Sequence, residues 1–380
     1  MILLPLIQQL NMTSFKLLNS TQSCITLNYY FYHNPKLCHF LIQNFNSLED
    51  ISQYKTDITA QFKLKNPQVL DTLTTLKITP YETYLKSNDT HILSLNDPSY
   101  PNLLKQITYP PPILFYQGNL NCLSKTKLAI IGPRKPSDYA KQVTTYFTEN
   151  LCQDFCIVSG FANGIDAIAH QTTLKNKQHT IAVMGVGLDT CYPKHHKQLK
   201  QEIINNEGLL LSEIPLFSKP EKFHFPLRNR IISGLCEGVI ITEAAVKSGS
   251  LITANYGLEQ NREIFAIPGN IFENTSKGVH DLIKQGAKCT TSPHDIYDEF
   301  NIKQSKKNTS QPQLNKAINK DTLSEAEKTI INCITTPKHI DELIHETQLN
   351  LSELLHTLTF LEIKKVVTKT AGALYTLTNS

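Results

Sequence analysis

Glycine is confined to the middle of this chain. Fourteen of the 15 glycines lie between Gly118 and Gly286, and the last is Gly372. Glycine is required where backbone turns tightly or approaches another group closely. The tight turns of a strand-and-helix fold are therefore expected in the middle, and the ends need another architecture. Within the glycine-rich part, short β-branched apolar runs recur at Leu128–Ile131, Cys156–Ser159, Thr180–Met184, Leu209–Ser212, Val239–Thr242 and Ile264–Ile267. Segments of helical length separate most of them: Tyr139–Leu151, Ile165–Lys175 and Leu251–Gln260, with a last helix and strand over Gly278–Cys289. Strands apolar along their whole length are buried on both faces. Alternating them with helices predicts an α/β fold, a doubly wound parallel sheet.

The flanks differ. Residues 1–90 are rich in Asn, Leu, Thr and Lys, with apolar residues every three or four positions (Phe40-Leu41-Ile42 to Phe45 and Leu48; Val69-Leu70 to Leu73 and Leu76). This spacing predicts a small N-terminal domain of short helices. The opening MILLPLIQQL is too short to span a bilayer, lacks a basic leader, and reads as a buried helix or strand edge. The sheet domain is expected over 91–302. Residues 303–320, KQSKKNTSQPQLNKAINK, are polar and aperiodic, as a linker is. Over 321–380, three helical periods (Leu323–Cys333, Ile340–Glu346, Leu351–Leu361) precede a hairpin from Val366 to Leu377. Three helices and a hairpin predict a winged helix.

At 380 residues the chain has room for two or three domains. Its 37 basic and 33 acidic side chains leave a net charge of +4, so nucleic-acid binding needs a local patch. The nine scattered cysteines form no C-x-x-C pair. No disulfide framework or metal site is expected, and a cytoplasmic setting fits.

One local patch stands out in FHFPLRNRIISGLCEGVIITEAAVKSGSLITAN, residues 223–255. The strand Val239–Thr242 is flanked by Arg228-Asn229-Arg230 and by Lys247-Ser248-Gly249-Ser250, which opens a helix-compatible segment. Free amides at a helix N-terminus beside fixed positive charge suit phosphate. Gly132-Pro133-Arg134, Ser159-Gly160, Asn163-Gly164-Ile165-Asp166, Gly185-Val186-Gly187, Glu243 and Pro268-Gly269 also follow strands. In an open parallel sheet such turns converge on one crevice rim. Asp166 suits either the first turn of a helix or a ligand contact. With His170, four residues on, it suits a structural hydrogen bond or a catalytic dyad. His195-His196 reads as surface loop, and Glu243 as a brace for Arg228, Arg230 or a turn. No Walker A motif, G-x-G-x-x-G turn or G-x-S-x-G elbow is present, which disfavours ATP hydrolysis, dinucleotide binding and a serine nucleophile. Phe223 and Phe225 suit core packing or stacking on bases. The candidate recognition helix NLSELLHTLTF carries no Lys or Arg, so the winged helix suits protein contact or weak DNA contact rather than sequence recognition.

Eight segments in order, LAIIGPRKPSDYA, IVSGFANGIDAIAH, TIAVMGVGLDTCYP, LLLSEIP, FPLRNRIISGL, TEAAVKSGSLITA, REIFAIPGNIF and KGVHDLIKQGA, resemble the DprA/Smf family of DNA-processing proteins. The C-terminal segment is similar to that family's winged-helix domain. The resemblance implies an extended Rossmann fold that binds and protects single-stranded DNA, commonly as a homodimer. It also implies loading of the RecA recombinase in natural transformation or recombination, without catalysis, cofactor or metal. Carried over by motif, Arg134, Arg228, Arg230 and Lys247 fall at DNA-contacting positions, with Ser159, Gly160, Asn229, Ser248, Gly249 and Ser250 completing a phosphate cradle. Such a groove follows a backbone without reading base edges. Departures matter: Pro133 stands where the family usually has Ser, Asn163 where Arg is frequent and Lys364-Lys365 where a Gly is common, and the N-terminal part has no glycine for a helix-hairpin-helix turn of the usual kind. The alternative from another class is a Rossmann-like nucleotide phosphoribohydrolase using Glu243 and Asp166. The chain lacks the close Gly-Gly-x-Gly-Thr cluster of such enzymes.

Overall fold

The computed structural model describes residues 21–77, 79–304, 324–334, 336–363, 366–370 and 374–377. The opening apolar stretch and all but the first two residues of the expected linker lie outside them. Contacts divide the chain into two units, Met1–Ser305 and Lys306–Ser380.

The first unit is built on nine strands: β1 (His91–Ser94), β2 (Ile113–Gly118), β3 (Lys127–Ile131), β4 (Cys156–Ser159), β5 (Thr180–Val183), β6 (Leu209–Ser212), β7 (Gly238–Ile241), β8 (Glu263–Ala266) and β9 (Lys288–Cys289). Their order is β1-β2-β6-β5-β4-β3-β7-β8-β9. β3 to β9 are all parallel, as the continuous apolar runs predict. β1 and β2, which the sequence reading did not pick out, extend the sheet antiparallel beyond β6. The sheet is therefore mixed. From β3 the chain winds outward through β4, β5 and β6, then returns to β7 on the other side of β3 and continues to β8 and β9. The crossovers diverge between β3 and β7, the place where open α/β sheets bind ligands.

Successive residues of each strand face opposite sides, and both sides are covered. Leu128 and Ile130 of β3 pack with Phe147, Leu151 and Ala169 from the helices Asp138–Leu151 and Ile165–Lys175. Ala129 and Ile131 pack with Ile231, Leu235 and Ala254 from the helices His224–Leu235 and Gly249–Glu259.

The N-terminal helices Thr21–Phe31, Pro35–Asn44, Leu48–Gln53 and Lys55–Phe62 enclose a core of Leu27, Phe31, Leu37, Leu41, Ile51, Ile58 and Leu70, and the helix Thr79–Ser87 packs on the sheet core instead. Pro35 opens the second helix, and Asn34 Oδ1 accepts from Leu37 N at 3.2 Å, so the helix start is signalled twice. The Val69–Leu76 period, read as a helix, is two 3₁₀ turns, Pro67–Asp71 and Leu73–Thr75. Cys24, Ile25 and Tyr81 join the sheet core with Ile113 and Phe115. Asn28 Nδ2 donates to Glu213 O at 2.9 Å and Tyr81 to Leu216 O at 3.2 Å.

The second unit is a winged helix. Helices Glu325–Cys333, Ile340–Thr347 and Leu351–Ile363 accompany β10 (Lys338–His339), β11 (Val367–Thr370) and β12 (Leu374–Leu377), ordered β10-β12-β11. Ile330, Leu343, Leu354, Leu358, Leu361 and Tyr375 form its core. Ser324 and Glu327 close a capping box on the first helix, which a sequence reads as Ser-x-x-Glu. Leu351 and Leu355 are exposed on the third helix.

Candidate nucleic-acid interface

The turns after β3, β4 and β5 surround a cleft of about 300 Å³. Arg134 enters from the first turn, Gly160, Phe161, Ala162 and Asn163 from the second, and Gly185 and the Tyr192–His195 loop from the third; Phe225 and Arg228 complete it. Arg134 is exposed and its guanidinium lies 5.4 Å from the centre of the Phe225 ring, a cation–π distance. The Tyr192 ring stands 5.4 Å from the same ring. A Cβ on Gly185 would sit 2.7 Å from Phe225 Cδ1, so glycine there makes room for the aromatic floor. The cleft thus offers an exposed cation, backbone loops and a flat apolar surface.

Arg228 and Arg230 share a helix but not a role. They are two residues apart on His224–Leu235, about 200° around the axis, and face opposite ways. Arg228 is buried and its Nη1 donates to Gly160 O and Val183 O, tying the β4 and β5 turns together. Burial lowers its pKa to about 10; Asp166 opposes that shift and Arg134 adds to it. Arg230 is also buried and donates from Nη2 to Glu213 Oε1 and Oε2 at 2.5 and 2.6 Å. It does not line the cleft. Treating Arg228-Asn229-Arg230 as one polar cluster overlooked the helix that carries them. Asn229, half-buried, accepts from Arg228 Nε at 3.2 Å.

The remaining positions divide between scaffold and surface. Ser159 is buried and donates to Ile130 O at 2.7 Å. Gly160 has no space for a side chain: a Cβ would meet Asp166 Oδ2 at 2.7 Å and Arg228 Nη1 at 2.8 Å. Lys247 is exposed in the turn after β7, beside β3 in the sheet. Ser248 caps the helix Gly249–Glu259, accepting from Ser250 N at 3.2 Å. Gly249 is open and Ser250 buried. Lys247 to Ser250 therefore stand on the same end of the sheet as the cleft without lining it.

Neither candidate catalytic carboxylate lines the cleft. Glu243 is buried and accepts from Ser137 N at 3.0 Å, so it braces a turn rather than either arginine. Asp166 is buried too and accepts from Ala162 N at 3.2 Å. Burial pushes its carboxyl pKa up, while Arg228 and loop amides pull it down. His170 does not partner Asp166: the Thr180 hydroxyl donates to Ile157 O, so His170 Nδ1–H donates to Thr180 Oγ1 at 2.8 Å. Burial lowers the pKa of His170 to about 3, with His196 and Arg228 adding to the effect. The unfolded chain then takes up a proton, near pH 6.5, that the folded chain refuses, so stability is lost as pH falls from about 6.5 toward 3. At pH 5 this residue alone is expected to cost about 2 kcal/mol relative to pH 7.5. In His170→Asn, whose amide nitrogen replaces Nδ1, urea melts at the two pH values should show that much less difference than in wild type.

His196 corrects the surface-loop reading, being buried against Phe161 and donating from Nδ1 to Phe161 O at 3.3 Å. Its neighbour His195 is exposed and donates from Nε2 to Asn163 Oδ1 at 2.8 Å. Asn163, where the motif often has Arg, thus pins the far wall of the cleft. Tyr192 and Lys194 were not singled out in the sequence. The signal for Lys194 is a cation after the Gly-Val-Gly turn; nothing local marks Tyr192, whose value depends on Phe225 thirty-three residues away.

Residues 91–301 match the family model described as DNA recombination-mediator protein A, and residues 316–373 that of the DprA winged helix domain. The chain belongs to the DNA recombination-mediator protein A family. Among its curated relatives, the DNA processing protein DprA of Streptococcus pneumoniae is 45% identical over 228 residues, 58% of this chain and 80% of the relative. That of Bacillus subtilis is 46% identical over 210 residues, 55% of this chain and 70% of the relative. The solved structure of DprA from S. pneumoniae superposes with a TM-score of 0.61 at 36% identity, covering 77% of this chain and 95% of that one. A DprA structure from Helicobacter pylori, described as giving insight into a single-stranded DNA binding mode, has a TM-score of 0.51 at 32% identity, covering 56% and 95%. The first match starts at β1, so the N-terminal helices lie outside it.

Proposed function

We propose that this chain binds single-stranded DNA across the carboxyl ends of β3, β4, β5 and β7, without catalysis. The observation that carries this is Arg134 held over the Phe225 ring inside a cleft walled by backbone loops. An exposed cation beside an aromatic floor holds one phosphate and one base at once, and neither contact depends on base identity. Arg134 and Lys247 are the direct phosphate contacts; Phe225 is the base contact. Ser159, Gly160, Arg228, Asn229, Ser248, Gly249 and Ser250 form and brace the loops, and Arg230 holds the opposite side of its helix. The protection of incoming DNA and the loading of RecA in transformation or recombination follow on this reading from the family. A homodimer is part of it too: Ile271 and Phe272, 70% and 85% exposed in the turn after β8, provide an apolar contact. The division into parts at 90, 302 and 320, and a cytoplasmic setting, belong to the same reading.

The test is fluorescence anisotropy with labelled oligo-dT across a salt series. Affinity should fall by about 0.7 log units per log unit of salt for each phosphate neutralised. An Arg134→Ala/Lys247→Ala double variant should bind at least about tenfold more weakly with a shallower slope. Equal affinity for duplex and single strand, or a variant binding as wild type does, would refute the assignment.

A further inference from the structure

Phe225 has an aromatic neighbour that faces outward. Two residues earlier, Phe223 is 45% exposed and belongs to neither the sheet core nor the cleft. Its ring lies against Tyr32, with centroids 6.3 Å apart and planes inclined by only 23°. Tyr32 follows the helix Thr21–Phe31 and comes from the N-terminal helices. The pair is held in place. Glu221 N donates to His224 Nδ1 at 3.3 Å, which leaves the proton of neutral His224 on Nε2, 3.0 Å from the Tyr32 hydroxyl. Burial lowers the pKa of His224, against Glu221 and a backbone bond to Gly185, and so favours the neutral ring. His224 also packs edge-on to both rings, at 4.6 Å from Phe223 and 5.3 Å from Tyr32. Exposed Lys219 and Lys222 precede Phe223 on its loop, with exposed Glu221 between them.

We propose that Phe223, backed by Tyr32, is a second base-stacking platform for the same single strand, next to the one at Phe225. A ring on a locked support loses little conformational freedom when a base stacks on it. The flat Phe223–Tyr32 pair offers the face that any nucleobase fits. Phe223 and Phe225 are two residues apart at one helix start and face opposite ways, so a strand with one base on Phe225 reaches Phe223 by crossing the helix N-terminus, where the excess of lysine on the preceding loop accompanies its phosphates. The consequence is that the N-terminal helices, through Tyr32, take part in binding DNA. This inference rests on the single-stranded DNA reading above and extends it to an element outside the sheet.

The chain contains no tryptophan, so Phe223→Trp introduces a single fluorescent reporter at the platform. Titration with unlabelled oligo-dT should quench its emission saturably, at the concentrations where anisotropy reports binding. Phe223→Ala should weaken oligo-dT binding by roughly 5-fold or more, Tyr32→Leu should do likewise, and Tyr32→Phe should bind within about twofold of wild type. Thermal melts of each variant separate loss of contact from loss of fold. If Phe223→Ala binds as wild type and the F223W variant is not quenched while its anisotropy still reports binding, the platform is refuted and the DNA-binding reading stands. If well-folded wild type binds no oligo-dT, that reading itself falls.

Discussion

Glu213→Ala is expected to destabilise the first unit by about 3–5 kcal/mol, because it leaves the Arg230 guanidinium buried without its counter-charge. Arg230 and Glu213 are both buried, and both carboxylate oxygens accept from the same guanidinium nitrogen. Burial pushes the Glu213 pKa up and Arg230 pulls it back down. Removing either partner therefore exposes the full desolvation cost of the other. Replacing both, as in Glu213→Leu/Arg230→Met, should recover most of the loss, because apolar side chains need no counter-charge at a dry site. Urea melts of the two single variants and the double variant form the cycle. Single variants within about 1 kcal/mol of wild type would show that the pair is solvated. Oligo-dT affinity of the folded double variant should stay within about twofold of wild type. A large loss of affinity there would mean that Arg230 reaches the DNA after all.

Gly164→Ala should damage both fold and binding. Gly164 precedes the helix Ile165–Lys175 with φ +77° and ψ −123°, a conformation that L side chains rarely adopt. A Cβ there would lie 2.4 Å from Pro133 O and 2.8 Å from Arg134 O. Backbone cannot yield as a flexible side chain does, so either the β3 turn or the β4 turn must move. Strain of this kind costs about 1–3 kcal/mol at a single residue, before the clash is added. The turn that is pushed carries Arg134, so oligo-dT affinity should fall at least about tenfold even at temperatures where the variant stays folded. Normal affinity with normal stability would mean that the two turns are less tightly joined than the structure has them.

The sequence made the sheet legible and hid part of the site, for related reasons. A strand such as Val239-Ile240-Ile241 is buried on both faces, so its own composition reports its surroundings. β1 has four residues of which only Leu93 is buried, a weak local signal, and the apolar run of β2, buried at Ile113, Leu114 and Phe115, directly follows Pro110-Pro111-Pro112, which argue for a turn. Glycines marked the turns after β3, β4 and β5, and these turns do converge. What stayed hidden depends on distant parts of the chain. The opposite roles of Arg228 and Arg230 needed knowledge that a helix runs through FPLRNR, where Pro226 argues for a turn. The partner of Glu243 is a backbone amide at Ser137, 106 residues away. Asp166 and His170 have the spacing of a dyad, yet Thr180 at the start of β5 claims the histidine. Tyr32, outside the glycine-rich region and outside the family match, had no motif to mark it.

The helix His224–Leu235 has a consequence for how this chain tolerates change in length. One side holds Arg228 against the turns of β4 and β5, and the other holds Arg230 against Glu213. A one-residue insertion between Phe225 and Arg228 would rotate everything after it by about 100°, unseating both arginines from a single event. Surface loops absorb inserted residues by bulging outward, but this segment has no such freedom. Gain or loss of one codon here is therefore expected to be among the least tolerated length changes in the chain.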